Sequence, residues 1–599
     1  MIRKSLAGCA VALVAVCGHA QPSDDGLSGL WSYRTDVTPE LRGPLTLSRQ
    51  GSVWRAAIAG RQARLAAPAT GELRLPFAQG QGELRGRLSP DRREFRGFWV
   101  QPAAEPVGSG MGYATPLILR LSGGAWRGDV RPLPRTFTLY LKISREADGS
   151  LVGAFRNPES NTIGGRTQFL VSRSGEAVTF TTRPAEGRKP IVLSGALVGG
   201  HLRMAFPSAH APVEMSRPSP AEAAAFYPRP PGSPAYAYRA PLPRNDGWTT
   251  ASAAEVGMDQ AMLAGIVRAQ AASNPASARP PLMHSILVAR HGKLVLEEYF
   301  FGFGPDTLHD TRSAAKTFSS VMLGAVMMHD KAFGPQSRIY RVMAARGPFA
   351  NPDPRKAQIT LAHLMTHTSG LACDDNDDAS PGGEETMQSQ TLQPDWLKYT
   401  LDLPMAHDPG THYAYCSANS NLVGGALSAH TGVWLPELFE RTVARPLQFG
   451  PYAWNLTPTG DGYAGGGAYL RPRDLLKVGQ VFLDGGVWHG RRIVSADWVK
   501  VSTAPHVQIN PETTGLTGEK FAESYIPGAD GLAWHLNTLK VAGRSWREYG
   551  ATGNGGQYLI VVPEADLAVV ITAGNYGQGG IWLPWRNQIV GQQILAAIR

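Results

Sequence analysis

The 599-residue chain predicts two fold classes in series. An N-terminal all-β barrel or sandwich comes first, followed by an α/β domain in which an antiparallel sheet is flanked by helices and interrupted by a helical region. Three observations carry this reading. From about Gly26 to Met215, short alternating runs are separated by polar turns. Residues 218–244 hold eight prolines. Beyond them helical periodicities and hairpins interleave, with strands at both ends. The length allows roughly two to four domains.

Taken in order, MIRKSLAGCAVALVAVCGHA (1–20) has Arg3 and Lys4, then an apolar run, then a small-residue exit. It predicts a secretory leader cleaved before Gln21, and so a periplasmic or secreted protein. The LAGC around Cys9 has only Met1 to Ser5 before it, too little for a lipoprotein signal. Residues 21–217 form the β-rich domain, with hairpins written in 82–100 (turn SPDRR) and 139–157 (turn ADGS). Its partner stays open between a glycan and a protein. Residues 218–245 read as an extended, semi-rigid linker. In 246–599, a helix at 258–272 and hairpins at 285–302 and 557–573 place one sheet across both ends of the domain.

The formal charge is +10, or +8 without Arg3 and Lys4. No zinc finger, RNP-like segment or long basic run accompanies it, so nucleic acid is not an expected partner. No later segment has the ~20 unbroken apolar residues of a membrane span. Two of the four cysteines fall in the leader. In an oxidising compartment the remaining pair, Cys373 and Cys416, is expected to form a disulfide rather than supply a thiol nucleophile.

In HDTRSAAKTF (309–318), Ser313 and Lys316 stand three apart at the start of a helix predicted to run to about Met328, with Phe318, Val321, Met322, Ala325 and Val326 facing inward. Residues at i and i+3 share a helix face, so the lysine reaches the hydroxyl. A hydroxyl needs a neighbour that removes its proton before it becomes a nucleophile. This is the sole S-x-x-K among twelve lysines, and no G-x-S-x-G is present.

Four further phrases follow in order: ITLAHLMTHTSGLACDD (359–375), PGTHYAYCSANSNLVGGALSAHTG (409–432), GGGAYLRPRDLLKVGQVFLDGG (465–486) and YGATGNGGQYLIVVPEADLAVVIT (549–572). With Ser313 and Lys316 they resemble the serine β-lactamase-like superfamily over about 250–599, a group that includes class C β-lactamases, D-alanyl-D-alanine carboxypeptidases, family VIII esterases and 6-aminohexanoate-dimer hydrolases. The resemblance implies that Ser313 attacks a carbonyl and that Lys316 and Tyr415 manage the proton. Backbone N–H groups of Ser313 and Asn554 would hold the oxyanion, with no metal and no organic cofactor. Tyr415 takes the tyrosine of the family's Y-x-N, with Ser417 where asparagine is usual. Ala551-Thr552-Gly553 takes the place of K-T-G or H-T-G. Gly553 lets a substrate approach the strand, whereas Ala551 removes a cation that would receive a substrate carboxylate. Neutral esters are therefore expected to react better than carboxylated substrates unless an arginine enters the cleft. A Cys373–Cys416 bridge would tie the loop after T-S-G to the catalytic tyrosine, closing 42 intervening residues worth about 3–4 kcal/mol of chain entropy.

The implied substrate is a small carboxylic ester or amide. The rivals are a D-alanyl-D-alanine peptidase or β-lactamase, and a penicillin-binding-like sensor that acylates without turnover. Three other features are weighed. His363 and His367 lack the glutamate of H-E-x-x-H, so a packed pair is favoured over zinc. The 374–385 stretch has Ala379 at the sixth calcium-loop position and reads as a solvated acidic loop. Trp534 is read as a wall of the substrate cleft or as core.

Overall fold

The computed structural model describes residues 26–66, 71–102, 111–159, 168–182, 189–206 and 211–599. The leader read at 1–20 lies outside them. Among the described residues no helix is long and apolar enough to cross a membrane.

The N-terminal region contributes two groups of eight antiparallel strands, each nearly closed like a barrel, one inserted in the chain of the other; the second group is part of an eleven-stranded sheet. The first sheet starts with Gly29–Asp36, resumes at Thr136–Arg145 and continues through six more strands to Val213–Met215. A bridge between Ser32 and Ser216 brings its end back to its beginning. Between its first two strands sits the second group, Gly43–Gln50 to Ala125–Val130, whose first and last strands in chain order pair from Gly43↔Val130 onward. Period-two alternation explains both. In Val53–Ile58, Trp54, Ala56 and Ile58 are buried while the residues between them are half-buried. The inward set, with Phe95, Trp99 and Leu119, fills the interior. Both expected hairpins form, Glu83–Leu88 with Glu94–Gln101 and Thr136–Arg145 with Leu151–Arg156.

The proline-rich stretch is a packed strap. Ser219 and Glu222 cap the short helix Pro220–Ala224 reciprocally, which gives this part of the expected extended linker a folded turn. Phe226 is buried, and Tyr238 donates to the Val295 carbonyl at 2.7 Å.

The following domain is built on a nine-stranded sheet in which Lys293–Tyr299, Met283–Arg290, Leu567–Ala573, Gln557–Val562, Arg544–Gly553 and His535–Val541 are successive neighbours. Strands from both ends of the domain thus meet at the centre. Leu567–Ala573 and Gln557–Val562 are buried on both faces and accordingly read as unbroken apolar runs. Gln260–Ala271 and the C-terminal helical segment Arg586–Ile594 cover one face through Leu263, Ile266, Val590 and Ile594. Thr317–Met327 and Pro472–Leu483 belong to the core on the other face.

One connection was not legible in the sequence. The small strands His309–Asp310, Ala468–Leu470 and Ala453–Leu456 pair in that order, and the last pairs with Gly112–Ser122 of the N-terminal region through Trp454↔Ala114 and Leu456↔Gly112. The strand that ends three residues before Ser313 therefore belongs to a sheet shared with the β region.

Candidate active site

The turn that carries Ser313 is held from both sides. Arg312 has φ +48°, a left-handed conformation that is costly for a residue with a Cβ. Asp310 compensates: its carboxylate accepts from the Arg312 backbone N–H at 2.9 Å and pairs with the Arg312 guanidinium at 3.0 Å. Residues Arg312–Lys316 then form a 3₁₀ turn leading into the α-helix Thr317–Met327. In 3₁₀ geometry side chains at i and i+3 eclipse, which sets Lys316 over Ser313 more directly than the expected α-helix would. At Gly553 an added Cβ would lie 2.4 Å from the Thr311 carbonyl oxygen, so the strand and the nucleophile turn approach this closely only with glycine.

Lys316 is 5% exposed, and its Nζ has three partners: Ser313 Oγ at 2.9 Å, Ser417 Oγ at 2.9 Å and the Gly465 carbonyl. The donor count is informative. An ammonium spends all three protons on these groups. A neutral amine can keep two N–H bonds, to Ser417 and Gly465, and turn its lone pair to the Ser313 hydroxyl. Ser417 Oγ donates in turn to Asp375 at 2.6 Å, and the same carboxylate accepts from the Ser417 N–H at 2.8 Å. The single hydroxyl proton of Ser417 is thereby committed, leaving its oxygen to accept from Lys316.

Tyr415 completes the set. Lys316 Nζ lies 5.0 Å from its ring centroid, and both Ser313 and Lys316 act on its hydroxyl. His367 packs on the ring at 4.6 Å between centroids, and its Nδ1 accepts from the Cys416 N–H at 3.2 Å. Burial pulls the His367 pKa down to about 3, so the ring is the neutral acceptor this bond requires. His363 has a different task, accepting from the Thr360 N–H at a helix start. Cys373 and Cys416 are joined in a disulfide with Cα atoms 5.7 Å apart, which anchors the residue next to Tyr415.

Protonation states follow. Burial pulls Lys316 down, but Tyr415, Glu384 and Asp375 outweigh it and leave its pKa above the ordinary 10.5. Burial pushes Tyr415 above 10, and Lys316 and the Ser313 hydrogen bond offset only part of that. At rest the pair is ammonium and phenol. Asp375 is pushed up to about 6 by burial and by neighbouring Glu384.

A cleft of about 430 Å³ opens over Ser313, with Tyr415, Thr552, Gly553 and Asn554 on its walls. Two expected site residues lie elsewhere. Ser417 is fully buried and reaches the chemistry only through Lys316. Trp534 is 1% exposed and packs on Phe482 and Tyr549, 4.3 and 5.4 Å between centroids, so it is core and the neighbouring His535 faces the cleft. Ala551 is also buried, at 2%. The cation at this wall is Arg586, which donates to Thr552 Oγ1 at 2.8 Å and pairs with Glu548 at 3.1 Å. Within the acidic stretch, residues 376–379 are solvated, whereas Asp375 turns inward to Ser417 and Glu384 accepts from the Tyr463 hydroxyl.

Ser313, Lys316 and Tyr415 thus meet between a helical region and an antiparallel sheet, Lys316 buried and the other two half-buried. The beta-lactamase family model matches residues 280–579, half of the chain, and the chain belongs to that hydrolase family. It is 25% identical over 298 residues to 6-aminohexanoate-dimer hydrolase of Paenarthrobacter ureafaciens, spanning 48% of this chain and 71% of that one. It is also 25% identical over 311 residues to Beta-lactamase of Escherichia coli strain K12, spanning 45% and 76%. Among solved structures it is similar to a family VIII carboxylesterase, at 18% identity and a TM-score of 0.38, over 49% of this chain and 87% of that one.

Asp375 gives a prediction of its own. Its carboxylate form lets Ser417 accept from Lys316, and that form is present above about pH 6 and lost below it. Turnover should therefore fall as pH drops through 6. In Asp375→Asn this inflection should vanish and kcat should drop about tenfold or more at neutral pH, the scale of one charge-assisted hydrogen bond. Unchanged pH profiles for the two proteins would remove Asp375 from the proton path.

Proposed function

We propose that this protein is an exported serine hydrolase that cleaves small carboxylic esters or amides through an acyl-enzyme on Ser313. The observation that carries the reading is the Lys316 ammonium nitrogen 2.9 Å from Ser313 Oγ, inside a set of hydrogen bonds that fixes its other protons. Export is supported by the leader pattern at 1–20 and the disulfide beside Tyr415.

In this reading Ser313 Oγ attacks the carbonyl carbon while its proton passes to the Lys316–Tyr415 pair. The oxyanion lies against the N–H groups of Ser313 and Asn554. Tyr415 returns the proton to the departing alkoxide or amine, the C–O or C–N bond breaks, and the acyl group stays on Ser313. Water then attacks, gives its proton to the same pair, and releases the acid with the serine hydroxyl restored.

Arg586 changes the substrate expectation drawn from Ala551, because a cation does enter the cleft. The exposed Glu385 and Glu523 also line it. This charge distribution suits a linear substrate with a carboxylate toward Arg586, a reading in keeping with the 6-aminohexanoate-dimer hydrolase relative. The test is a panel of short acyl esters, linear amide dimers, D-alanyl peptides and a chromogenic cephalosporin, with hydrolysis and release of the label both followed. Turnover of esters or amide dimers with little action on the other two supports the proposal. A label that stays attached would instead identify a non-turnover sensor. Arg586→Gln should lower kcat/KM for a carboxylated ester about tenfold relative to its matched neutral ester. Equal losses on both esters would assign Arg586 a purely structural task.

A further inference from the structure

A second concavity, about 940 Å³ in volume, lies between the inserted N-terminal sheet and the segment Trp434–Tyr452 of the hydrolase domain. Its described lining holds eight arginines and four carboxylates. The carboxylates are already engaged: Glu72 with Arg85 at 3.0 Å, Asp129 with Arg131 at 3.9 Å, Glu440 with Arg445 at 3.2 Å, and Glu437 with both Arg87 and Arg441. The surplus positive charge gathers on the sheet wall. There Arg96 and Arg120 share the single carboxylate of Glu94, and Arg127 donates to the Thr46 hydroxyl.

The strand register makes this arrangement costly. Arg87 is directly opposite Arg96, and Arg120 directly opposite Arg127. Like charges facing each other across an antiparallel ladder are destabilising; Glu437 beside Arg87 and the one Glu94 carboxylate shared by Arg96 and Arg120 offset only part of this, and packing returns little, since Arg87, Arg96 and Arg120 are 41, 40 and 72% exposed. Violations of this kind mark functional sites. What relieves them is an anion lying along the wall, for which guanidinium forks are suited.

We infer that this groove binds a linear acidic glycan. A chain with carboxylates at intervals matches arginines spread over four strands, whereas a single small anion would meet only one pair. Ile118, 37% exposed, lies opposite Arg96 in the ladder and offers an apolar contact for a sugar ring. The aromatic groups favour this ligand over a single-stranded nucleic acid, which needs an open stacking platform. Trp434 is covered by the Arg85 guanidinium, 4.0 Å from its centroid, and by the edge of Phe98 at 5.3 Å. The concave shape between two structural units admits a chain but not a bilayer surface. This inference stands apart from the chemistry at Ser313 and survives any outcome of the substrate panel.

Fluorescence anisotropy with the full chain and a labelled oligogalacturonate tests it, against a neutral malto-oligosaccharide of equal length and an inorganic polyphosphate of equal charge. The oligogalacturonate should bind, the neutral sugar should not, and polyphosphate should bind more weakly. Arg96→Gln and Arg120→Gln, on different strands, should each weaken binding about tenfold. Each variant loses a like-charge contact together with one of the two exposed ion pairs to Glu94, so Tm should move little in either direction, and Tm measured beside affinity separates lost binding from lost folding. No binding of the oligogalacturonate overturns the inference. Polyphosphate binding as tight or tighter would show a general anion trap, and unchanged affinity in both variants would place any binding elsewhere.

Discussion

Replacing Ser313 by alanine is expected to abolish both ester or amide hydrolysis and covalent labelling by a fluorophosphonate. Removing a nucleophile from a cooperating set costs about as much as removing the whole set, a loss of roughly a million-fold in well-studied serine enzymes. No substitute is within reach. Ser417 is fully buried, with its proton committed to Asp375, and both described cysteines are consumed in the disulfide. The fold should tolerate the change, because Ser313 occupies the cleft floor and the turn is held by Asp310, Arg312 and Gly553. Gel fluorescence with the labelled phosphonate and a kinetic assay on the same sample check both halves. Hydrolysis at the parent rate by the alanine variant would remove Ser313 from the mechanism.

The elements that alternate cleanly were legible in the sequence. Hairpins with a polar turn declared themselves by period-two burial, and the strands Gln557–Val562 and Leu567–Ala573 by unbroken apolar runs with a turn between them. Ser313, Lys316 and Tyr415 were legible through their motifs, and the structure brings all three together. What stayed hidden was long-range. No local pattern says that Gly43–Gln50 pairs with Ala125–Val130, closing one group of strands inserted in the chain of another. Nor does any say that Ala453–Leu456 adds to a strand more than three hundred residues earlier.

The site shows the same limit at the level of single residues. Asp375 sits in a run of acids that, by composition, belongs in water, and only its hydrogen bonds to Ser417 distinguish it from its exposed neighbours. Arg586 approaches Thr552 from 34 residues further along the chain. Trp534 was ambiguous because a large aromatic beside a cleft strand can face either way, and the packing of Phe482 and Tyr549 turned it inward. The departures from the family motif are where the sequence misled most. Ser417 alone looks like a loss of the asparagine carboxamide, but Ser417 together with Asp375 restores an oriented acceptor for Lys316. Ala551 alone looks like the loss of a cation, but Arg586 supplies one from another element.

Lys316→Ala and Tyr415→Phe should each lower kcat by about a hundred- to ten-thousand-fold, the range of general acid–base assistance. The double variant should lose far less than the product of the two. The reason lies in their shared proton. Each is held above its ordinary pKa, Lys316 by Tyr415 and nearby carboxylates, Tyr415 by burial, so the resting pair is one proton too rich to receive the proton of Ser313. The reactive form lacks that proton, and it becomes more abundant as pH rises. For the parent enzyme kcat/KM should therefore climb from neutral into alkaline solution, about tenfold per pH unit while the reactive form is a minor one, and level off only near the first macroscopic pKa of the pair. Removing either partner leaves the other with no neighbour to exchange with, so the second substitution finds little left to remove. Tyr415→Phe should also move the alkaline rise to higher pH, because the first proton of the pair can then leave only from Lys316 and no longer from either group. Steady-state kinetics of the four proteins over a pH series measures both effects at once. Losses that multiply in the double variant, or a rise with pH at the same position in the parent and Tyr415→Phe, would show that lysine and tyrosine do not share a proton path.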